Sequence, residues 1–184
     1  MPGALHLATL GLAVLTLIGL IITMNQPVTY VQPLQVMLLA ILLTALTPML
    51  FPITQMLGGG VLMPLPGDFL SYGSLPMLTW LVAGAVIGVM SVDRGSAVRA
   101  SLLLTSLYYL IWITMTITIL PNVKGTIYWS TYLDRVFTTI VTRTPLEIVA
   151  IYAAPLMTAV ATDALLSLGR REPTIRKARE LRYY

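Results

Sequence analysis

Five long apolar stretches fill most of this chain: Ala4–Met24, Val36–Leu57, Leu75–Val92, Val98–Leu120 and Leu146–Leu168. An α-helix rises 1.5 Å per residue, so about 20 apolar residues cross ~30 Å of hydrocarbon. Each stretch lies near that length. The expected fold class is therefore an all-α integral membrane protein. It has five transmembrane helices, a short outer interfacial amphipathic helix and a basic cytoplasmic tail.

Composition narrows the choice. The 184 residues are 57% hydrophobic and only 10% charged, against about 25% charged in soluble domains. The five stretches leave no room for a second domain of about 50 residues or more. The division is a polytopic membrane domain over 1–168 and a basic tail over 169–184. Cysteine is absent, which excludes disulfides, thiolate metal sites and a cysteine nucleophile. The single histidine, His6, supplies neither a bis-histidine haem pair nor a multi-histidine metal site. No metal or cofactor is expected. The first stretch lacks a basic leader and is too long for a typical signal core, so a retained helix is expected.

Charge sets the orientation. Arg94, Arg99, Arg170, Arg171, Arg176, Lys177, Arg179 and Arg182 fall on one side of an alternating five-span scheme, and Lys124, Arg135 and Arg143 on the other. Eight basic residues against three place the C-terminus in the cytoplasm and the N-terminus outside, in a multi-pass protein of the cell membrane. The net charge of +4 thus reports orientation and lipid contact, with no nucleic-acid partner expected. The tail itself would attract anionic lipid, at about 1 kcal/mol per basic residue near the surface.

The connections carry local signals. In Asp93-Arg94-Gly95-Ser96, Gly95 is expected to end the third helix in a left-handed conformation and Ser96 to cap the fourth. Thr144-Pro145-Leu146-Glu147 reads as a capping box that starts the fifth. The apolar but Gly/Pro-rich segment Gly58–Pro76 cannot continue a helix or face lipid unpaired. Leu133, Val136, Phe137, Ile140 and Val141 recur at helical spacing and predict the interfacial helix, preceded by Tyr128, Trp129 and Tyr132, residues that favour the headgroup level. The two outer segments are expected to pack into a cap, with Phe69 and Phe137 pointing inward.

Several residues are candidates for chemistry or assembly. Gly84 and Gly88 form a Gly-x-x-x-Gly pair that lets another backbone approach, within the chain or across a subunit contact. Ser101, Thr105, Tyr108, Tyr109, Trp112 and Thr116 share a face of the fourth helix. They either line a polar path or bond to nearby carbonyls. Asp163 is the one acid well inside a span, and Arg99 or Arg94 is its expected partner. Asp163, Arg99, Thr105, Tyr108 and Trp112 are thus the ligand or ion candidates. Pro48 and Pro52 in the second stretch and Pro155 in the fifth are expected to kink their helices.

Enzyme motifs are missing: no His-Glu-x-x-His, no Gly-x-Ser-x-Gly and no phosphate loop with its lysine. The leading expectation is a non-enzymatic membrane subunit that helps assemble or stabilise a larger membrane complex. Its partners would be the lipid bilayer and other membrane subunits or a second copy. The alternative is a small-molecule transporter or the substrate-binding membrane component of an uptake system.

Overall fold

The computed structural model describes residues 3–23, 34–57, 73–124 and 126–180, with side chains described in all of these except 120, 122–130 and 169–180. Every regular element among them is helical. In chain order they are α1 (Ala4–Thr23), α2 (Leu34–Leu46), a 3-10 turn (Thr47–Leu50), α3 (Pro52–Met56), α4 (Leu75–Met90), α5 (Arg94–Lys124), α6 (Thr126–Thr138), a π-helical turn (Thr139–Arg143) and α7 (Pro145–Glu180). Three helical segments are long and apolar enough to cross a membrane: Ala4–Thr23, Arg94–Ile119 and Pro145–Leu168. Leu34–Leu50 and Leu75–Met90 are shorter apolar helices. The 16 residues of α4 rise ~24 Å.

Four helices pack as a ring in which α4 touches α1 and α7, and α5 touches the same two; α2 lies against α1 and α5. Cross-chain contacts fix relative directions. On α4 and α7, Gly84 meets Pro155 and Gly88 meets Ala159, so these two run parallel. On α5 and α7, Ser101 meets the Pro155 carbonyl and Thr105 that of Ile151, so these run antiparallel. The path from Leu46 through Thr54 climbs from Tyr108 towards Glu147, antiparallel to α7. Directions therefore alternate through α2, α4, α5 and α7.

Gly84 and Gly88 are where two backbones meet. A Cβ added at Gly84 would stand 2.6 Å from Pro155 Cα, and one at Gly88 would stand 2.8 Å from Thr162 Cβ. The glycine pair serves a contact inside the chain, against α7. Its partner is not the helix that follows it across the short link. Adjacency in sequence is outweighed here because α7 presents Pro155 and Ala159, themselves four residues apart, as a matching shallow face.

Helix termini differ from expectation in three places. Asp93, not Ser96, caps α5. Its carboxylate accepts from the Ser96 amide at 2.6 Å, and the Ser96 hydroxyl accepts from the Asp93 amide at 3.4 Å, a reciprocal box. Gly95 lies in the first turn of α5, and the one positive φ among the described residues is at Gly73, φ 58°, just before α4. Thr144 does not cap α7: its hydroxyl donates back to the Thr139 carbonyl at 3.3 Å. That frees the Glu147 side chain to leave its own helix. At the far end, α7 continues unbroken through Pro173 to Glu180, so the tail begins as an extension of the span.

The predicted amphipathic helix is present but longer and rotated. Val136 and Ile140 are buried and α6 packs on α5, yet Phe137 is 43% exposed and Val141 62%. Phe137 therefore does not point inward. The buried stripe runs through Val136, Thr139 and Ile140, and Phe137 sits about 100° round the helix from Val136. The π-helical turn adds a residue per turn and carries Val141 out of register. Phe69 and most of its outer segment lie outside the described residues.

Candidate functional site

A broken helix over residues 34–56 lies with its break in the bundle interior. Prolines supply no amide, so Pro48 and Pro52 withhold two helical donors in succession. Phe51, between the 3-10 turn and α3, sits off the helical region at φ −131°, ψ 55°. Residues Thr47 through Pro52 are all buried. A break so placed leaves backbone donors and acceptors without intrahelical partners and without water. Each must be met from elsewhere.

Side chains from three other helices meet them. Tyr108 of α5 donates its hydroxyl to the Leu46 carbonyl at 2.9 Å. Trp80 of α4 donates Nε1–H to the Met49 carbonyl at 3.0 Å. Trp112 of α5 donates Nε1–H to the Thr47 hydroxyl at 3.3 Å. In an unbroken helix the amides of Ile53 and Thr54 would serve the carbonyls of Met49 and Leu50. Here both turn to Glu147 of α7: Ile53 donates to Oε2 at 2.9 Å and Thr54 to Oε1. Glu147 is 1% exposed. Its hydrogen-bond partners among the described residues are those two amides, and no Lys, Arg or His lies within ion-pair distance there.

An aromatic chain runs outward from the break. Trp80 and Tyr108 meet edge to face at 5.1 Å, Tyr108 and Tyr109 at 5.6 Å, and Tyr109 stacks on Tyr152 of α7 at 6.4 Å. The Tyr109 hydroxyl is buried and finds no hydrogen-bond partner among the described residues. Pro155 of α7 is answered in a similar manner. It cannot donate to the Ile151 carbonyl, and the Thr105 hydroxyl lies 3.3 Å from that carbonyl and 3.3 Å from the Ser101 carbonyl of its own helix.

The structure thus separates the predicted site residues into two groups. Tyr108 and Trp112 converge on the break, and Thr105 reaches the Ile151 carbonyl that Pro155 leaves open beside it. Asp163 and Arg99 lie towards the opposite end of the bundle and do not pair. Asp163 accepts one long bond from Ser91 at 3.5 Å, while exposed Arg99 turns back to its own Gly95 carbonyl at 3.2 Å. Asp163 is half-buried, and no Lys, Arg or His among the described residues forms an ion pair with it. Trp80, Thr47 and above all Glu147 join the site unforeseen. A carboxylate one position inside the fifth apolar stretch was the available signal, but the capping-box pattern offered a local role for it.

Chemically the node holds a discontinuous helix in place through one carboxylate, two indoles and one phenol. No group of three His, Cys, Asp or Glu side chains suited to a metal ion occurs among the described residues. No protein family matches the chain, and comparison with curated proteins and with solved structures finds no significant similarity.

Proposed function

We propose that this chain is a non-enzymatic polytopic membrane subunit that packs with, and helps assemble or stabilise, a larger membrane complex. It crosses the bilayer five times, with the N-terminus outside and the C-terminus cytoplasmic. One observation carries the reading: the polar groups opened by the helix break are met by the chain's own side chains, from Leu46 through Thr54. The interior maintains a shape. The surface left for interaction is apolar on every long helix, with Leu17, Leu38, Leu110, Met157 and Leu165 exposed. In lipid, such faces suit acyl chains or other membrane helices equally, and close packing decides between them. Alternating helix directions support the five-span scheme, in which the shorter α2 and α4 segments also cross.

The alternative reading, a small-molecule carrier or substrate-binding membrane component, has its own support. Discontinuous helices and buried carboxylates recur at transport sites, and Glu147 joins the two here. Purification of the full chain from its native membrane in mild detergent separates the readings. The subunit reading expects other polypeptides to co-purify in fixed ratio. An isolated monomer carrying a bound small molecule would reject it in favour of transport.

A further inference from the structure

We propose that the Pro48–Phe51 break is a hinge, and that the Glu147 carboxylate is a proton-sensitive latch holding its far arm, Pro52–Leu57, against α7. This goes beyond either functional reading and depends on neither.

The two arms are held differently. Three separate donors from α4 and α5 fix the near arm at Leu46, Thr47 and Met49. The far arm presents two successive amides, at Ile53 and Thr54, to a single carboxylate. Apolar burial in that arm is confined to Pro52: Thr54 and Gln55 are buried polar side chains, Met56 and Leu57 are exposed and Ile53 is half-buried. Between the arms the helical ladder is interrupted. Phe51 donates to the Pro48 carbonyl at a long 3.4 Å, and its own φ and ψ are not helical. Rotation about Phe51 therefore breaks few bonds inside the segment, and the arm's packing on α4 and its hold on α7 together decide where it rests.

That hold depends on charge. An ionised carboxylate accepts at both oxygens, whereas a protonated one exchanges one acceptor for an O–H donor, with nothing on an amide N–H to receive it. Two amides on an anion are charge-assisted bonds, about twice as strong as neutral ones. Among the described residues, no cation lies within ion-pair distance of Glu147. The sequences of α3 and α4 contain no titratable side chain. From α5, Tyr109 faces it, with Tyr152 of α7 stacked behind. Arg143 is exposed and outside ion-pair distance. Protonation of Glu147 thus removes the charge that both amides share and frees the far arm to turn about Phe51.

The chain has no cysteine, so spin-label pairs can be introduced cleanly into the full-length protein in lipid nanodiscs. Leu57→Cys with Leu165→Cys reports the far arm, and Leu38→Cys with Leu110→Cys reports the near arm; all four positions are exposed. Acidification should move the first distance distribution by on the order of one helical turn, ~5 Å, and leave the second unchanged. Glu147→Gln should show the moved distribution at neutral pH and abolish its pH dependence. Ile53→Pro, which deletes one of the two amides at a first-turn position that accepts proline, should broaden the first distribution in a chain that keeps Glu147. An unmoved far-arm distance in acid and in either variant would overturn the latch. Movement of both distances together would overturn the hinge, since the bundle as a whole would then be loosening.

Discussion

At the scale of single residues, adjacent tyrosines on α5 make opposite contributions. Tyr108 donates to a carbonyl that the helix break leaves open, while the Tyr109 hydroxyl is buried with no partner among the described residues. Leaving one buried polar group unmatched costs about 1–3 kcal/mol, whereas removing a group already unmatched is neutral or favourable. Tyr108→Phe should therefore lower the melting temperature in detergent, and Tyr109→Phe should hold or raise it. Equal losses in the two variants would contradict the assignment. The glycines make a similar contrast. At Gly84 an added Cβ meets Pro155 backbone, and at Gly11 it meets side-chain methyl ends, of Leu104 at 3.0 and 3.3 Å and of Ile87 at 3.1 Å. Gly84→Ala should cost about 1–3 kcal/mol by forcing α4 off α7. Gly11→Ala should cost clearly less, because a leucine rotamer can adjust. Asp163→Asn and Arg99→Gln, which touch different partners, should combine additively in a double-mutant cycle. A coupling above about 0.5 kcal/mol would show that the two do meet in the membrane.

At the scale of elements, backbone groups opened near prolines in the apolar stretches are met by side chains on neighbouring helices. The clearest pair is Pro155 with Thr105, whose hydroxyl serves the Ile151 carbonyl four residues before the proline. Thr105→Val should cost roughly 0.6–1.7 kcal/mol, the range of hydrogen bonds between membrane helices. In a Pro155→Ala background the alanine amide can restore the intrahelical bond, and the same Thr105→Val change should then cost close to nothing. A loss of the same size in both backgrounds would mean that Thr105 acts through packing alone. The interruption of the second stretch was legible in the sequence from Pro48 and Pro52, whereas α7 runs on as one helix through Pro155. The groups that answer these prolines were not legible, because they stand on other helices. The short link at Asp93–Ser96 shows the reverse case. All its capping partners lie within three residues, yet the expected Gly95 terminus and Ser96 cap gave way to a reciprocal box between Asp93 and Ser96.

For the whole molecule, the alternation of α2, α4, α5 and α7 yields a topological expectation. Single cysteines at Ser74, before α4, and Ser96, at the start of α5, should label from opposite sides of sealed vesicles. Labelling from the same side would remove the five-span scheme. The interior and the exterior of the bundle carry different information. The core is ordered around one irregular segment, and the periphery is apolar nearly all round, so interior substitutions should change stability before they change association. Surface substitutions such as Leu110→Trp or Met157→Trp should do the opposite, if either face seats another membrane helix.

Hydropathy and length by themselves determined that the chain is helical and apolar, where its long segments lie and where prolines interrupt them. Those properties follow from composition within windows of about 20 residues, and the solvent reads them directly. The polar face of α5 was likewise visible at three- and four-residue spacing. Only the tertiary structure decided what that face touches. Trp80 reaches Met49 across 31 positions, Tyr108 reaches Leu46 across 62, and Glu147 reaches Thr54 across 93. No periodicity links such residues. Glu147 has a plausible partner in its own first turn, and the choice against it rests on the stronger need of two amides at a break that neither water nor their own helix can satisfy.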